Sequence, residues 1–571
     1  MSGTYKGIGV SEGIGIGKVL LIQTRPLVYD KKQIEDTVGE IRRLRDAFER
    51  YAADIREKTE RVRNALGTGE AEIIASRLQM LSDPYVKDGM EQLIAGGTCA
   101  ESAVETVCGM FETAFLSSSD EQTVQRAADV RDLRDGILRT LLAIPEPDIA
   151  GAEKGTILVA EEITPSMTGE IRRENIAGLV AQSGGYTSHA AILARAMGIP
   201  AVMSVPGITN LVKDGDAMAA DGSSGVVLVN PTEEERLAFH RKREDGIMRR
   251  RVLDAYRGRP TETADGIRVK LLANIGEPGE AEIAVENDAE GVGLFRTEFL
   301  YMRRSHLPDE DRQFEAYKLA ALRMGGRPLV IRTLDVGGDK EIPYLKLPRE
   351  ENPFLGYRAI RFCLENPDVF KPQLRAILRA SAYGDIRILL PFIADIGEVR
   401  AAKYVLAEVK EELRRKGIPF RDPISTGIMT ETAASVAIAD LLAKETDFFS
   451  IGTNDLSQYM MAADRGNEKT AALCTHYQPA VLRAVRHLIR TGKNAGISVA
   501  MCGEAAADML LHPLLISWGL DEYSVSPGAV LGVRRNLSLW SREEADAVAQ
   551  TAMELTTAAE VEACLRSSRK E

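Results

Sequence analysis

The sequence from Thr261 to its C-terminal end alternates apolar segments with amphipathic helical segments, and this alternation constrains the fold more than any other feature. Strand-like segments that are each followed by a helix are typical of parallel α/β folds, and eight in succession predict a (β/α)8 barrel. In such barrels the chemistry takes place at the carboxyl ends of the strands. The predicted strands are 269–275, 291–296, 328–334, 386–392, 426–431, 448–452, 498–502 and 522–525.

The carboxyl ends of these predicted strands carry a chemically coherent set of side chains. Arginines offer forked donors to phosphate and carboxylate groups, while Glu431 and Asp455 are hard oxygen ligands that suit Mg²⁺. Asn454 can donate to a phosphoryl oxygen, and Cys502 ends a buried strand where it can supply a proton. Each residue alone has a plainer interpretation, a salt bridge or a core cysteine, but the whole set on one barrel face favours a phosphate site. The arginines are Arg296, Arg332, Arg358 and Arg465.

The residues before the barrel predict an α/β domain with a helical insertion. Strand-like segments at 18–22, 156–160, 177–181, 201–203 and 225–229 belong to the α/β domain, and a helical period of three to four residues fills the interval from Lys31 to about Leu142. A charged segment with acids early and bases late predicts a linker helix. We therefore divide the chain into an α/β domain (1–25 and 145–230), an inserted helical subdomain (26–144), a linker helix (231–260) and the barrel (261–571).

A histidine lies where the α/β domain predicts a helix start. Gly184-Gly185-Tyr186-Thr187-Ser188 precedes His189, and an Ala-rich helical run follows up to Gly198. Thr and Ser are good N-caps, and the free N–H groups of a helix start favour an anion such as a phosphate on the imidazole. Taken alone, this pattern fits a histidine that merely packs or caps somewhat better than a catalytic one.

Composition narrows the possible partners and compartments. The 571 residues have a net charge of −12, which argues against nucleic acid or an anionic membrane as the general partner. The six cysteines are scattered without metal-ligand spacing, as expected for reduced thiols in the cytosol. Because no segment reads as a signal peptide or a membrane span, we expect a cytoplasmic protein.

Several of these segments together closely resemble enzyme I of the bacterial phosphotransferase system, the family of phosphoenolpyruvate–protein phosphotransferases. The resemblance spans nearly the whole chain. It rests on Thr164-Pro165-Ser166, residues 184–189, Gly293-Leu294-Phe295-Arg296-Thr297-Glu298, Asn352 to Arg361, Gly452-Thr453-Asn454-Asp455-Leu456 and Cys502-Gly503-Glu504.

The resemblance implies a swivelling phosphohistidine domain with an inserted helical subdomain, a linker helix and a C-terminal barrel. It implies that His189 takes the phosphoryl group of phosphoenolpyruvate (PEP) and passes it to a histidine of a small phosphocarrier protein. Glu431 and Asp455 would hold Mg²⁺, and Cys502 would protonate the enolpyruvate. The substrate would be held by Arg296, Arg332, Arg358, Asn454, Asp455 and Arg465. The helical insertion would bind the carrier, and the barrel would form a homodimer.

Further expectations accompany this resemblance. We expect Thr168 to orient His189, Arg126 to assist the phosphohistidine or the carrier, and a rigid-body swing about residues 227–262 to bring His189 to the barrel. Arg77 and Ser82 depart from the residues common in the family and leave the carrier's identity open, and Thr430 stands where valine is usual.

Two other functions remain possible at this point. A pyruvate phosphate dikinase or PEP synthase shares the histidine domain and the barrel, but it also needs an ATP-binding domain, for which this sequence leaves no room. A non-catalytic phospho-sensor of the same fold would release no pyruvate. Because no sensor domain precedes the first glycine-rich segment, we expect the sugar branch rather than a nitrogen-type branch.

Overall fold

The computed structural model divides the chain into two compact units, Met1–Arg250 and Arg251–Glu571. The boundary between them falls within the predicted linker helix. The residues that the structure describes are 3–22, 27, 29–66, 78, 80–116, 121–144, 149–164, 167, 170–185, 188–302, 306–338, 342–345 and 347–570.

An eight-stranded mixed sheet forms the centre of the first unit. Its strands are Gly3–Lys6 (β1), Ile8–Ser11 (β2), Ile14–Ile22 (β3), Thr156–Ala160 (β4), Ile176–Ala181 (β5), Ala201–Met203 (β6), Ala217–Asp221 (β7) and Val226–Val229 (β8). They are arranged in the order β1-β8-β7-β3-β4-β5-β6-β2, in which β3 to β6 run parallel and the remaining pairs are antiparallel. Since β3 and β4 are neighbours, the helical residues between them are an insertion into one sheet.

The insertion consists of long helices with a core of their own. They are Thr37–Leu66 (α1), Pro84–Ala95 (α2), Ala100–Leu116 (α3) and Glu121–Leu142 (α4). Leu44, Met90, Val104 and Ile137 are among the buried side chains that the four helices share. All four helices lie within the interval from Lys31 to about Leu142 in which the sequence has a helical period, whereas Arg77 lies outside the described residues.

Among the described residues that follow the insertion, three further helices are His189–Met197 (α5), Ile208–Leu211 (α6) and Glu233–Asp254 (α7). Helix α7 lies within the predicted linker segment and crosses the boundary between the two units. None of its residues is buried, as expected of a helix that connects bodies rather than completing a core. Close to the middle of this helix, Lys242 pairs with the buried carboxylate of Asp221 at the end of β7.

The second unit is a closed barrel of parallel strands. They are Lys270–Ile275 (β9), Val292–Phe295 (β10), Leu329–Arg332 (β11), Ile386–Leu390 (β12), Thr426–Thr430 (β13), Phe448–Ile451 (β14), Ser498–Met501 (β15) and Glu522–Val525 (β16). Strand β16 pairs in parallel with β9 and closes the barrel. The ends of all eight predicted strands lie within two residues of these bounds, so the predicted fold class is confirmed.

Helices surround the barrel and bury its outer face. They are Glu280–Glu286 (α8), Phe299–Met302 (α9), Glu310–Met324 (α10), Ile360–Glu365 (α11), Pro367–Ala380 (α12), Ile396–Arg415 (α13), Ala433–Ala437 (α14), Ala439–Leu442 (α15), Thr453–Met461 (α16), Pro479–Ala495 (α17), His512–Trp518 (α18), Val530–Ser538 (α19), Arg542–Glu554 (α20) and Ala558–Ser567 (α21). Among the residues that the structure describes, no helix combines the length and the apolar character needed to cross a bilayer.

Candidate active site

The carboxyl ends of the barrel strands surround a cavity of about 600 Å³, a size typical of small-molecule sites. All eight side chains that the sequence predicted for this site line the cavity, although they come from distant parts of the sequence. They are Arg296, Arg332, Arg358, Glu431, Asn454, Asp455, Arg465 and Cys502.

Two glycines allow the strand ends to close around this cavity. A Cβ atom on Gly452 would lie 2.6 Å from Glu431 Oε2, and one on Gly503 would lie 1.9 Å from Thr453 Oγ1. Both distances are shorter than any tolerable contact, so larger residues would displace Glu431 or the start of α16. Asn454 and Asp455 are in the first turn of that helix.

Buried carboxylates hold two of the arginines in place. Arg332 Nη2 donates to Glu298 Oε1 at 2.7 Å, and its Nη1 lies 3.2 Å from Asp335 Oδ2. Arg358 Nη2 donates to both oxygens of the same Asp335, at 3.0 and 3.1 Å. Burial by itself would lower the pKa of each arginine, but the neighbouring carboxylates raise it above the ordinary value, so both remain charged.

Glu431 and Asp455 place two interacting carboxyl groups in the lining of the cavity. Burial raises the pKa of Glu431 to about 8, and the charges of Asp455 and Asp335 add to this effect, which Arg358 and Arg332 oppose. Asp455 Oδ1 is buried and accepts no hydrogen bond with good geometry, although Arg465 Nη2 lies 3.3 Å away.

This pair of carboxylates fits a divalent cation. No group of three or more His, Cys, Asp or Glu in the described parts of the chain is arranged to hold a metal ion. Mg²⁺, however, is commonly held by one or two carboxylates and completed by water and substrate phosphate. A cation between Glu431 and Asp455 would neutralise the charge that raises the pKa of Glu431 and would occupy the open lone pairs of Asp455.

The remaining polar side chains lie nearer the mouth of the cavity. The Arg296 side chain is exposed, and within the described residues no carboxylate pairs with it, which leaves its charge for an incoming anion. Asn454 and Glu504 hold each other: the Asn454 amide donates to Glu504 Oε1 at 3.2 Å, and the Glu504 N–H donates to Asn454 Oδ1 at 3.1 Å.

Cys502 directly follows β15 and lies on the inner side of the barrel. Its side chain is 4% exposed and packs with Leu294 and Met429. Burial raises the pKa of the thiol, an effect that Ser450 reduces because its hydroxyl donates to Cys502 Sγ at 3.2 Å. At neutral pH the sulfur therefore carries its proton, as a proton donor must.

Comparisons with known proteins agree with this geometry. The PEP-binding, mobile and N-terminal domains of PEP-utilising enzymes match residues 251–541, 152–225 and 6–126. The chain is 42% identical over 563 residues to a Staphylococcus aureus protein named phosphoenolpyruvate-protein phosphotransferase, with 98% of each chain covered. The chain belongs to the phosphoenolpyruvate-protein phosphotransferase family. The Geobacillus stearothermophilus protein of that name is 43% identical over 559 residues, with 98% of this chain and 97% of that protein covered. A solution structure of Enzyme I (nEIt) is 33% identical over 42% of this chain and 98% of its own, at a TM-score of 0.39.

Membership of the phosphoenolpyruvate-protein phosphotransferase family confirms the predicted family and makes the chain an enzyme of this kind. The second unit corresponds to the domain that binds PEP, so the cavity lies in the expected part of the chain. Thr430, next to Glu431, is fully buried, and its hydroxyl has no hydrogen-bond partner.

The candidate phosphoryl acceptor, His189, lies at a helix start, as the sequence predicts. His189 is the first residue of α5, and the Ser188 side chain caps that helix by accepting from the Ala191 N–H at 3.3 Å. The helix ends at Gly198, as predicted. The side chains of His189 and Arg126, and all of Thr168, lie outside the described residues.

Sequence reasoning missed several residues that the structure places around the side chains lining the cavity. Glu298 and Asp335 follow Arg296 and Arg332 closely in the sequence. Nothing local indicated that they would hold Arg332 and Arg358. The others are Phe392 and Tyr459, which contact Arg358, and Ser450, which contacts Cys502. Only the barrel topology brings these three to the site.

Proposed function

We propose that this enzyme transfers the phosphoryl group of PEP to His189 and then to a histidine of a small phosphocarrier protein, with release of pyruvate. This is the first step of a sugar phosphotransferase system. The observation that carries the proposal is the cavity itself, which combines an unpaired arginine, two arginines fixed by carboxylates, two further carboxyl groups and a buried thiol whose pKa is raised.

The arginines bind and orient the substrate in this mechanism. Arg296, Arg332, Arg358 and Arg465, together with Asn454, surround the phosphate and carboxylate groups of PEP and compensate their negative charge. Phosphoryl transfer depends mainly on positioning and charge neutralisation, which this set provides. Glu431 and Asp455 would hold Mg²⁺, which when bound supplies further charge neutralisation at the phosphate oxygens.

A neutral ring nitrogen of His189 attacks the phosphorus atom while the bond between phosphorus and the enol oxygen breaks. The electron pair of that bond goes to the oxygen, and the enolate so formed takes a proton at its terminal carbon from Cys502 Sγ. Pyruvate leaves, and the thiolate regains its proton from solvent. The free N–H groups at the start of α5 favour the negative charge that His189 then carries.

The remaining assignments belong to the same proposal. The insertion over residues 26–144 binds the phosphocarrier, the barrel forms the homodimer, and Thr168 and Arg126 support His189. A swing about residues 227–262 brings His189 to the barrel cavity. We place the enzyme in the cytoplasm, where PEP is made.

Labelled PEP tests the proposal. With Mg²⁺ and the purified phosphocarrier, the wild-type enzyme should carry label and pass it to the carrier, whereas His189→Ala should do neither. His487→Ala, which changes an exposed histidine on α17, serves as the matched control and should behave as wild type. Label on the carrier with His189→Ala would contradict the assignment. Absence of pyruvate release by wild type would favour a phospho-sensor, and labelling by ATP would favour a dikinase.

A further inference from the structure

Phe392 lies directly behind the cavity, in the loop after β12, and no charged or reactive group marks it in the sequence. Its side chain is 2% exposed, and its backbone has φ of 60°, which is uncommon for a residue with a large side chain. A conformation of this kind persists only where the surroundings determine it. The contacts of the Phe392 ring and of its N–H stabilise this conformation.

The ring of Phe392 lies against two arginine side chains. The guanidinium carbon of Arg358 is 4.6 Å from the ring centroid, and that of Arg361 is 4.9 Å away. Arginine is attracted to the face of an aromatic ring at such distances, more strongly when the pair is shielded from water. Arg361 is also held by the carbonyls of Leu355 and Gly356 and does not line the cavity. The effect of the ring on the site therefore acts through Arg358.

The main chain of Phe392 makes a second contact with the site. Its N–H donates to Glu431 Oε1 at 2.7 Å, and the unusual φ directs the amide and the ring to these separate partners. Tyr459 completes the arrangement, because its ring packs against Phe392 at a centroid distance of 5.6 Å and its hydroxyl accepts from Arg358 Nη1 at 3.1 Å.

We propose that Phe392 is a positioning residue that fixes the Arg358 guanidinium through its ring and the Glu431 carboxylate through its N–H. One residue thereby sets the separation between a substrate-binding cation and a metal-binding carboxylate. Asp335, Asp455 and Tyr459 hold Arg358 through hydrogen bonds to its N–H groups. The ring of Phe392 adds a packing contact, and without it the guanidinium regains freedom that PEP must then remove on binding. The inference rests on the proposed function, in which Arg358 binds PEP.

Substitutions at Phe392 should distinguish the contribution of the ring from that of the backbone N–H. Phe392→Leu keeps the N–H and a similar volume but removes the aromatic face, so we expect the Kd and the KM for PEP to rise roughly tenfold with a smaller change in kcat. Phe392→Tyr keeps the aromatic face and should retain an affinity close to that of wild type. Incorporation of pentafluorophenylalanine at position 392, which preserves the shape of the ring and reverses its charge distribution, should weaken PEP binding as leucine does.

Phe314 provides a matched control in the same barrel. Its ring lies 4.2 Å from the guanidinium carbon of Arg379, outside the cavity. Phe314→Leu should lower the thermal midpoint without changing the affinity for PEP. The inference is overturned if PEP binds Phe392→Leu or the fluorinated protein as tightly as wild type, or if the affinity loss in Phe392→Leu merely parallels that in Phe314→Leu. Failure of the wild-type protein itself to bind PEP would instead overturn the proposed function.

Discussion

Cys502 is the residue whose chemistry depends most directly on its burial. It lies among apolar side chains on the inner face of the barrel, so its thiol keeps its proton at neutral pH. We expect Cys502→Ala to slow pyruvate formation by at least about a hundredfold, the usual scale of general acid catalysis. Binding of PEP should survive, because the arginines remain. Rapid-quench pyruvate assays and calorimetric titration with PEP measure the two effects separately, and equal loss of both would contradict a role in proton donation.

The pH dependence of Cys502 alkylation tests the same environment. Because burial raises the pKa of this thiol, its reactive thiolate forms only as the pH rises above the ordinary range for cysteine. At pH 8 we expect iodoacetamide to modify the more exposed Cys564 well before Cys502, as measured by mass spectrometry. Ser450→Ala removes the hydroxyl that stabilises the thiolate, so the pKa should rise further and alkylation of Cys502 should become slower still. Faster alkylation in that variant would show that the hydroxyl plays no such part.

At the residue scale, the sequence was enough to predict which side chains line the cavity but not how they are held. Each of the eight lies at the carboxyl end of a predicted strand or in the segment that follows it, and the barrel topology brings strand ends together. Asp335 holds both Arg332 and Arg358, a relation that depends on three-dimensional packing between loops. Phe392 was unpredictable for the same reason, since its role comes from a backbone angle and from neighbours distant in sequence.

Secondary structure was predictable wherever the hydrophobic pattern was strong. The barrel strands are buried on both faces, so each is a short apolar run whose limits are clear. Strand β7 of the first unit was missed because Ala217–Asp221 consists mostly of small residues and shows little hydrophobic contrast. Strands β1 and β2, which precede the first predicted strand, are separated at Gly7, where a side chain would collide with the carbonyl of Met203.

At the amino-terminal end of the barrel strands, the stability of β16 depends on one buried charge, that of Glu522. Glu522 begins β16 and is 4% exposed, with Lys270 of β9 at 2.9 Å and Arg387 of β12 at 3.7 Å. Glu522→Gln removes the charge that these cations share, so we expect the free energy of unfolding to fall by about 2 kcal/mol. PEP affinity should stay unchanged, since the active site is at the other end of the strands.

Chemical denaturation and PEP titration together check this effect of Glu522→Gln. Glu411→Gln is the appropriate control because its pairs with Arg414 and Arg415 are solvent-exposed. It should cost at most about 0.5 kcal/mol, as exposed pairs usually do. If both variants lost the same stability, the buried position of Glu522 would have no special importance for barrel closure.

At the scale of the whole molecule, the proposed movement of His189 to the barrel depends on α7, the helix that crosses the boundary between the two units. Its middle part is tied to the sheet of the first unit by the pair between Lys242 and Asp221. Gly246 follows within the same helix, where glycine weakens the helical backbone by about 1 kcal/mol relative to alanine. The boundary between the two units comes soon after it, at Arg250. We therefore expect the proposed swing to pivot near Gly246.

Gly246→Ala tests this pivot without disturbing packing, because a Cβ atom there would meet no other atom within 4 Å. The substitution stiffens the helix, so transfer of label from PEP to His189 should slow several-fold in rapid-quench measurements, while PEP affinity stays constant. Gly109→Ala is the matched control: it too lies in a helix, α3, with open space around the added atom. That variant should gain similar helix stability and transfer label at the wild-type rate. An unchanged rate in Gly246→Ala would move the pivot to another part of residues 227–262, and an equal slowing in Gly109→Ala would mean that helix stiffness anywhere, not bending of α7, limits transfer.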